Sequence, residues 1–328
     1  MRNEKLIKDN SQTDDRPVKI RDNPNPCNPW TSFFAPLRLR VIIIPVIFFL
    51  LSACSTAPRR PQEIFTERNM ATNHLRLADH TANRGNYEDA LLILGEARRL
   101  ALATDDPVLI VRTSMSRANI LFAKGFYAEA FADWEAASAE GIASGETVLA
   151  ALARIYAIRA RLILLDRGEN AGSAANKIKA EELLERLHPE LHLVRADAFA
   201  AAAGNITLGL AEKQLRRWDE AERAARRALT FYERNRMLED AAYAWFVIAS
   251  IRSTAGNLDA AMDALNAAIR FDRRAENGYG LAASWRAMAE IHQRAGRLDE
   301  SRAALHRAVN IYRAIGLFEL ANELEEKL

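Results

Sequence analysis

The stretch that decides the fold is Ala241 to Arg270, with the sequence AAYAWFVIASIRSTAGNLDAAMDALNAAIR. It returns as Leu281 to Asn310, LAASWRAMAEIHQRAGRLDESRAALHRAVN, and Trp245 thereby recurs as Trp285. The step between the copies is 40 residues. Similarity at a fixed step of this size is typical of chains built from stacked structural units. The sequence therefore predicts a repeat protein.

The centre of the repeated stretch also occurs earlier in the chain. Each copy has a turn residue, then an aromatic residue or leucine two positions later, an acidic residue, and a small residue. A glycine can end a helix in the left-handed conformation, the acidic residue suits the start of the next helix, and the small residue allows close packing. The large residue is predicted to fill the gap between the paired helices. The copies are GNYEDA at 85–90, GFYAEA at 125–130, RRWDEA at 216–221, GNLDAA at 256–261 and GRLDES at 296–301.

This pattern resembles the tetratricopeptide repeat, with two departures. The step of 40 residues exceeds the usual step of about 34, which predicts lengthened helices. Gly125 and Arg216 lie 91 residues apart, which requires a degenerate third unit with an insertion between Glu146 and His188. Pro189 is predicted to start the first helix of the fourth unit. The resemblance implies an all-α, right-handed α-solenoid over residues 63–328, with about six units and a polar cap from Leu317 to Leu328.

Composition narrows the functional classes. Hydrophobic residues make up 49% of the chain, which is ample for a core. Residues 54–328 carry 37 basic and 38 acidic residues, and this balance argues against nucleic-acid binding, which depends on clustered positive charge. The cysteines are Cys27 and Cys54, so the repeats can form no disulfide and no thiolate metal site.

The front of the chain indicates export. Residues 1–36 are polar and rich in proline, and we expect them to be disordered or, if translation starts later, absent. Residues 37–53 carry a basic flank and then VIIIPVIFFLLSA, which has no charge. This run is too short to span a membrane but suits the core of a signal peptide.

The core ends in Leu51-Ser52-Ala53-Cys54, which resembles a bacterial lipoprotein signal. The resemblance implies cleavage before Cys54 and attachment of acyl chains such as palmitate there, and more than one chain makes such an anchor durable. The alternatives are a buried cysteine or an uncleaved anchor helix. Ser55 favours the outer membrane, facing the periplasm, and residues 54–62 are interpreted as a tether.

No motif for catalysis, a cofactor or a metal emerges, so we expect a protein that is not an enzyme. The closest histidine pair, His188 and His192, is predicted to be split by Pro189. The basic runs are interpreted as a solvated outer face, since acidic residues are interleaved with them. A binding stripe for phosphates or lipid head groups is the alternative reading of these runs, which are Arg216-Arg217, Arg226-Arg227 and Arg273-Arg274.

The resemblance also implies a function, because first helices of this family line a concave groove that binds peptides or partner helices. We therefore expect a lipid-anchored scaffold or adaptor that binds a protein or peptide in the cell envelope, in secretion, pilus or cell-wall machinery. The alternatives are a sensor of a peptide or small ligand and, third, an envelope hydrolase. The predicted groove residues are Arg112, Met115, Asn119, Phe122, Ile206, Leu210, Lys213, Tyr243, Phe246, Ser250, Ser253, Arg286, Glu290, Gln293 and Arg294.

Overall fold

The computed structural model describes residues 65–168 and 172–328. The predictions for residues 1–36, for the signal segment 37–53, for Cys54 and for the tether up to residue 62 lie outside the described residues. Within the described ranges, no helix is long and apolar enough to cross a membrane.

The described residues form thirteen helices and no strand. Each helix packs against the next one along the chain, so the predicted all-α solenoid is confirmed. The helices are α1 Thr66–Asn83, α2 Tyr87–Ala103, α3 Pro107–Ala123, α4 Tyr127–Ala143, α5 Thr147–Arg167, α6 Ala174–Val194, α7 Ala198–Gln214, α8 Trp218–Arg234, α9 Leu238–Thr254, α10 Leu258–Ala275, α11 Gly278–Arg294, α12 Leu298–Ala314 and α13 Phe318–Glu325.

Nearly all turns between these helices contain one residue in the left-handed conformation. Within units this residue is usually a glycine, such as Gly256 at φ 91°, because a missing Cβ makes positive φ inexpensive. Arg216 adopts φ 60° in the fourth unit. Turns between units use the same geometry, with Arg236 at 57° and Glu276 at 55°. The basic step is therefore one helix and one turn of 20 residues, and a unit is two such steps.

The small residues after each first turn are buried as predicted, with Ala90, Ala130, Ala221 and Ala261 at 0% exposure and Ser301 at 6%. Small side chains there let the two helix backbones of a unit approach closely.

The large residue of the motif is less regular. Leu298 is 57% exposed and Tyr127 is 38% exposed, so Leu298 does not fill the gap between its helices. That prediction is wrong for the sixth unit.

The third unit consists of α5 and α6, both 21 residues long. Longer helices account for most of the predicted insertion. Pro189 lies inside α6, so the prediction that it starts a new helix is wrong. Proline removes one backbone donor and its ring crowds the carbonyl four residues earlier, but the buried residues Leu187 and Val194 hold the helix against the core on both sides of it. The first helix of the fourth unit starts at Ala198, where the Asp197 side chain accepts a hydrogen bond from Ala200 N (2.8 Å).

The first unit also contacts the last ones. Helix α1 touches α11. Asn83 Nδ2 donates a hydrogen bond to Glu239 of α9, and Arg84 forms an ion pair with Glu276. A Cβ on Gly85 would lie 3.0 Å from Ile315 Cδ1. The repeat region is therefore a ring whose first unit meets the fifth and sixth.

Candidate functional site

The inner face of the ring is made by the first helix of each unit. In the described residues, α1, α3, α5, α7, α9 and α11 contact one another in succession, and α11 contacts α1. The second helices, α2 to α12 in even numbers, contact only their neighbours in sequence. The odd-numbered helices thus form the inner ring, and any partner that enters the ring meets their side chains.

A cluster on this inner face is centred on Arg159 of α5. Its guanidinium donates from Nη2 to the Ala203 carbonyl (2.6 Å) and from Nε to Thr207 Oγ1 (3.1 Å). It also lies over the rings of Tyr156 (4.7 Å) and Tyr243 (5.9 Å). These contacts join α5, α7 and α9, and they fix the cation in place.

Three carboxylates, those of Asp79, Glu239 and Asp240, are linked by their charges, and Asp240 also interacts with Arg159. Burial raises the pKa of the Asp240 carboxyl, and the positive charge of Arg159 partly opposes the rise. Burial also raises the pKa of Glu239, and the charges of Asp240 and Asp79 raise it further. The pKa of Asp79 is raised by burial although the Ser116 hydroxyl donates a hydrogen bond to it. We call Asp79, Glu239, Asp240, Tyr156 and Tyr243 the inner acidic cluster. A basic side chain placed there would relieve the repulsion between its carboxylates.

A second polar network crosses the inner ring beside this cluster. The ammonium of Lys213, which is 4% exposed, donates to Asp166 Oδ2 (2.7 Å) and to Ser250 Oγ (2.6 Å). These groups belong to α5, α7 and α9. The two predicted groove residues Lys213 and Ser250 therefore have partners within the protein, and their polar atoms hold neighbouring units in register.

Of the groove residues predicted in the second unit, some are exposed and others are packed inside the unit. Arg112 and Asn119 are exposed. Met115 is 5% exposed and belongs to the core. The Phe122 ring lies 5.2 Å from the ring of Tyr127, and thus packs against the second helix of its own unit. Met115 and Phe122 are therefore packing residues, because their side chains point into the unit.

Two residues predicted to line the groove in the fourth unit lie in the core instead, since Ile206 is 1% exposed and Leu210 is 9% exposed. In the fifth unit, Tyr243 and Phe246 are half-buried and pack against the main core. Tyr243 also contacts Arg159, which makes it the predicted residue most closely joined to the inner acidic cluster.

The sixth unit is more exposed and more charged. Arg286 pairs with Glu290 one helical turn away (3.9 Å), and its buried Nε has no hydrogen-bond partner in the described residues. Arg294 donates to Ser253 Oγ (2.6 Å) and to its carbonyl (2.9 Å). Gln293 is exposed. Arg294 and Ser253 thus link α11 to α9.

Sequence reasoning missed Asp79, Tyr156, Arg159, Glu239 and Asp240. The third unit has no turn motif, so no register was available for α5, and the contact between α1 and α9 is not visible in the repeat pattern. A helical projection of α5 from its buried positions would have placed Tyr156 and Arg159 near one face.

The continuous helix α6 places His188 and His192 one turn apart, and both are exposed. The separation by Pro189 proposed from sequence is therefore wrong. The described residues contain no group of three or more histidine, cysteine, aspartate or glutamate side chains arranged to hold a metal ion.

Comparison with known proteins agrees with the helical geometry. The tetratricopeptide repeat family profile matches residues 242–274, which lie in α9 and α10. This part of the chain is thus similar to a tetratricopeptide repeat. Tetratricopeptide repeats generally bind protein partners. A similar solved structure is BtubC (BKLC) from P. vanneervenii, which is 18% identical, covers 71% of this chain and 92% of that chain, and superposes with a TM-score of 0.44. No curated protein sequence matches this tetratricopeptide-like chain.

Proposed function

We propose that this protein is a scaffold of the bacterial cell envelope, held by lipid on Cys54 to the periplasmic face of the outer membrane. Two kinds of observation support the proposal. The repeats are of a type that binds proteins, and residues 37–54 combine a basic flank, an uncharged apolar run and the Leu-Ser-Ala-Cys sequence. The protein acts by binding rather than by catalysis, and its partners belong to secretion, pilus or cell-wall machinery.

The observation that carries the binding role is the inner acidic cluster. The charge of Arg159 acts on Asp240, and burial raises the pKa of all three carboxyls. Burial destabilises the charged form of these carboxyls, and a basic group that enters beside them stabilises that form. The partner segment is therefore expected to present a lysine or arginine to this cluster, and to bury apolar side chains against Phe246 and Tyr243.

A second function, a sensor of a short peptide or small ligand, is favoured by one observation. The first unit touches the fifth and sixth through Asn83, Arg84 and Gly85. A groove closed in this way restricts entry to slender ligands, whereas an open groove would admit a folded partner. Native mass spectrometry of the protein isolated from its own cells separates the two functions, because a bound polypeptide and a bound small molecule add different masses.

The anchor is tested by replacing Cys54 with serine. Without the thiol no diacylglyceryl group can be attached, so the Cys54→Ser protein should leave the outer-membrane fraction. Cys27→Ser is the matched control, and it should fractionate as the wild type does. Retention of the Cys54→Ser protein in the outer membrane would exclude the lipid anchor.

The binding site is tested by crosslinking in intact cells. Asp240→Asn removes one charge from the inner acidic cluster and should reduce the yield of the main crosslinked partner at least tenfold. Glu220→Gln is the control, because Glu220 is an exposed residue of the outer helix α8 and loses the same charge. Equal partner yields for the two variants would rule out the cluster as the binding site.

A further inference from the structure

A cavity of about 640 Å³ lies on the outer side of the ring, between α10, α11 and α12. It is separate from the inner acidic cluster, because α10 and α12 are second helices and belong to the outer layer. Its lining includes Asp263, Asn266, Arg270, Arg273, Trp285 and Arg307. The three arginines and one aspartate give this outer arginine cavity an excess of positive charge.

The guanidinium groups of Arg270, Arg273 and Arg307 have no ion-pair or hydrogen-bond partner in the parts of the chain that the structure describes. Arg307 lies over the indole ring of Trp285 at 4.5 Å, which orients its guanidinium without neutralising it. Arginines nearby are paired differently, since Arg297 pairs with Asp259 and Arg313 with Glu325. The outer arginine cavity thus brings three unpaired guanidinium groups together around one tryptophan.

The corresponding groove one unit earlier shows that the fold does not require these arginines. Forty residues before Arg270, Arg273 and Arg307 the chain has Thr230, Glu233 and Ala267. There the indole Nε1 of Trp245 donates a hydrogen bond to Glu233 Oε1 (3.2 Å).

Trp285 occupies the position of Trp245 but faces an arginine in place of that acceptor. Its Nε1 forms no hydrogen bond with any described residue. The later groove therefore has guanidinium and indole N–H groups without acceptors. It also has no counterpart of Glu233, which accepts the hydrogen bond from Trp245 in the earlier groove.

We propose that the outer arginine cavity binds a phosphate group. Guanidinium groups donate paired hydrogen bonds to phosphate oxygens, and the free indole N–H supplies a further donor. The phosphate belongs either to a lipid head group or to a soluble phosphorylated molecule, and the chemistry at the three arginines is the same in both cases. The site leaves the inner ring free for a protein partner.

The test uses the full chain and two probes. Inorganic pyrophosphate is titrated by calorimetry, and sedimentation is compared between vesicles of phosphatidylglycerol and of phosphatidylcholine. The lipid measurement is the difference between the two compositions, because an acyl chain or apolar segment elsewhere would bind both. Arg273→Glu introduces the residue of the preceding groove and should weaken binding at least tenfold.

Arg274→Glu is the control variant. Arg274 is the next residue in sequence and lies over the ring of Phe271 (5.6 Å), outside the cavity lining. It changes the net charge equally, and binding should stay within twofold of the wild type. Circular dichroism shows whether Arg273→Glu still folds. If it does not, Arg270→Thr, which also copies the preceding groove, serves in its place and should likewise weaken phosphate binding.

Binding of pyrophosphate alone, with loss in Arg273→Glu, identifies a soluble phosphorylated ligand. Preference for phosphatidylglycerol alone, with the same loss, identifies a lipid head group. Binding of both probes with that loss supports a general phosphate site. Absence of binding to either probe overturns the proposal, and so does an equal loss in Arg273→Glu and Arg274→Glu, which would indicate diffuse charge.

Discussion

Two junctions between units can be compared: the first joins the fourth and fifth units, and the second joins the fifth and sixth. They have the same backbone conformation but different side chains. Arg236 and Glu276 adopt nearly the same left-handed conformation. At the first junction the buried residue is Tyr232, which is 3% exposed, and at the second it is Asp272, which is 2% exposed.

The partners of these two buried residues differ as well. Position 240 carries an aspartate, whereas position 280 carries a glycine. The difference teaches that the turn fixes the geometry of the repeat, while the residue buried behind it can be a phenol in one unit and a carboxyl in the next.

The largest expected effect comes from adding a side chain at the second junction. A Cβ at position 280 would lie 2.4 Å from Asp272 Oδ1 and 2.5 Å from Asn277 Nδ2. Both groups are held in place, since Asn277 donates to Asp272 (2.7 Å) and accepts from Gly280 N (3.0 Å). Gly280→Ala should therefore lower the free energy of unfolding by roughly 3 kcal/mol through overpacking, measured by urea denaturation.

A glycine elsewhere in the chain serves as the control for that substitution. A Cβ on Gly95, in the middle of α2, would meet no atom within 4 Å. Gly95→Ala should raise the free energy of unfolding by roughly 1 kcal/mol, because alanine favours a helix. A Gly280→Ala protein as stable as wild type would show that the second junction is no more constrained than the first.

The second expected effect is a dependence of stability on pH that arises from Asp272 at the later junction. Burial raises the pKa of Asp272 from 3.8 to about 7, the hydrogen bond from Asn277 lowers it in part, and the charge of Glu239 adds to the rise. A folded-state pKa above the unfolded value gives stability that is complete only below the unfolded value of 3.8 and is lost as the pH rises from there through about 7.

Asp272→Asn removes this ionisation and should raise the free energy of unfolding at pH 8 by roughly 2 kcal/mol, less than the full shift would give. At about pH 3, below the unfolded pKa, the variant and the wild type should be alike. The comparison is made between them because other buried carboxyls titrate in the same direction. Asp263→Asn, an exposed change on the same helix, is the control, and equal effects of the two substitutions would contradict the assignment to Asp272.

The smallest expected effect concerns the contact of the second junction with the first unit. Arg84 and Glu276 form an exposed ion pair, and such pairs contribute little, so Arg84→Glu should cost roughly 0.5 kcal/mol. The double variant Arg84→Glu with Glu276→Arg should restore the loss if the ring is closed in solution. Additivity of the two single changes in this double-mutant cycle would show that the residues do not interact.

The fold was largely predictable because its main determinants are local and repeated. Gly256 and Gly296 set the step, and Ala221 and Ala261 mark the close packing of paired helices. The third unit was predicted only from the spacing between Gly125 and Arg216. The continuation of α6 through Pro189 depends on tertiary packing, which overrides the tendency of proline to end a helix.

The candidate site was less predictable, because it depends on contacts between units distant in sequence. Asp79 reaches Glu239 and Asp240 only because α1 meets α9, and no periodic pattern carries that information. Met115 and Phe122 were assigned to the groove by analogy of position, yet a shift of one residue on a helix turns a side chain by about 100°. The repeat pattern places Trp285 at the position of Trp245, and only its neighbours Arg273 and Arg307 distinguish the two.

The meeting of the first unit with the fifth and sixth has a consequence for how such a chain can evolve. An open solenoid gains or loses units at its ends with little effect elsewhere, because each unit contacts only its neighbours. Here an added pair of helices would move Asn83 away from Glu239 and Arg84 away from Glu276. A change in the number of units would therefore break these contacts, whereas substitutions within the existing units can leave them in place.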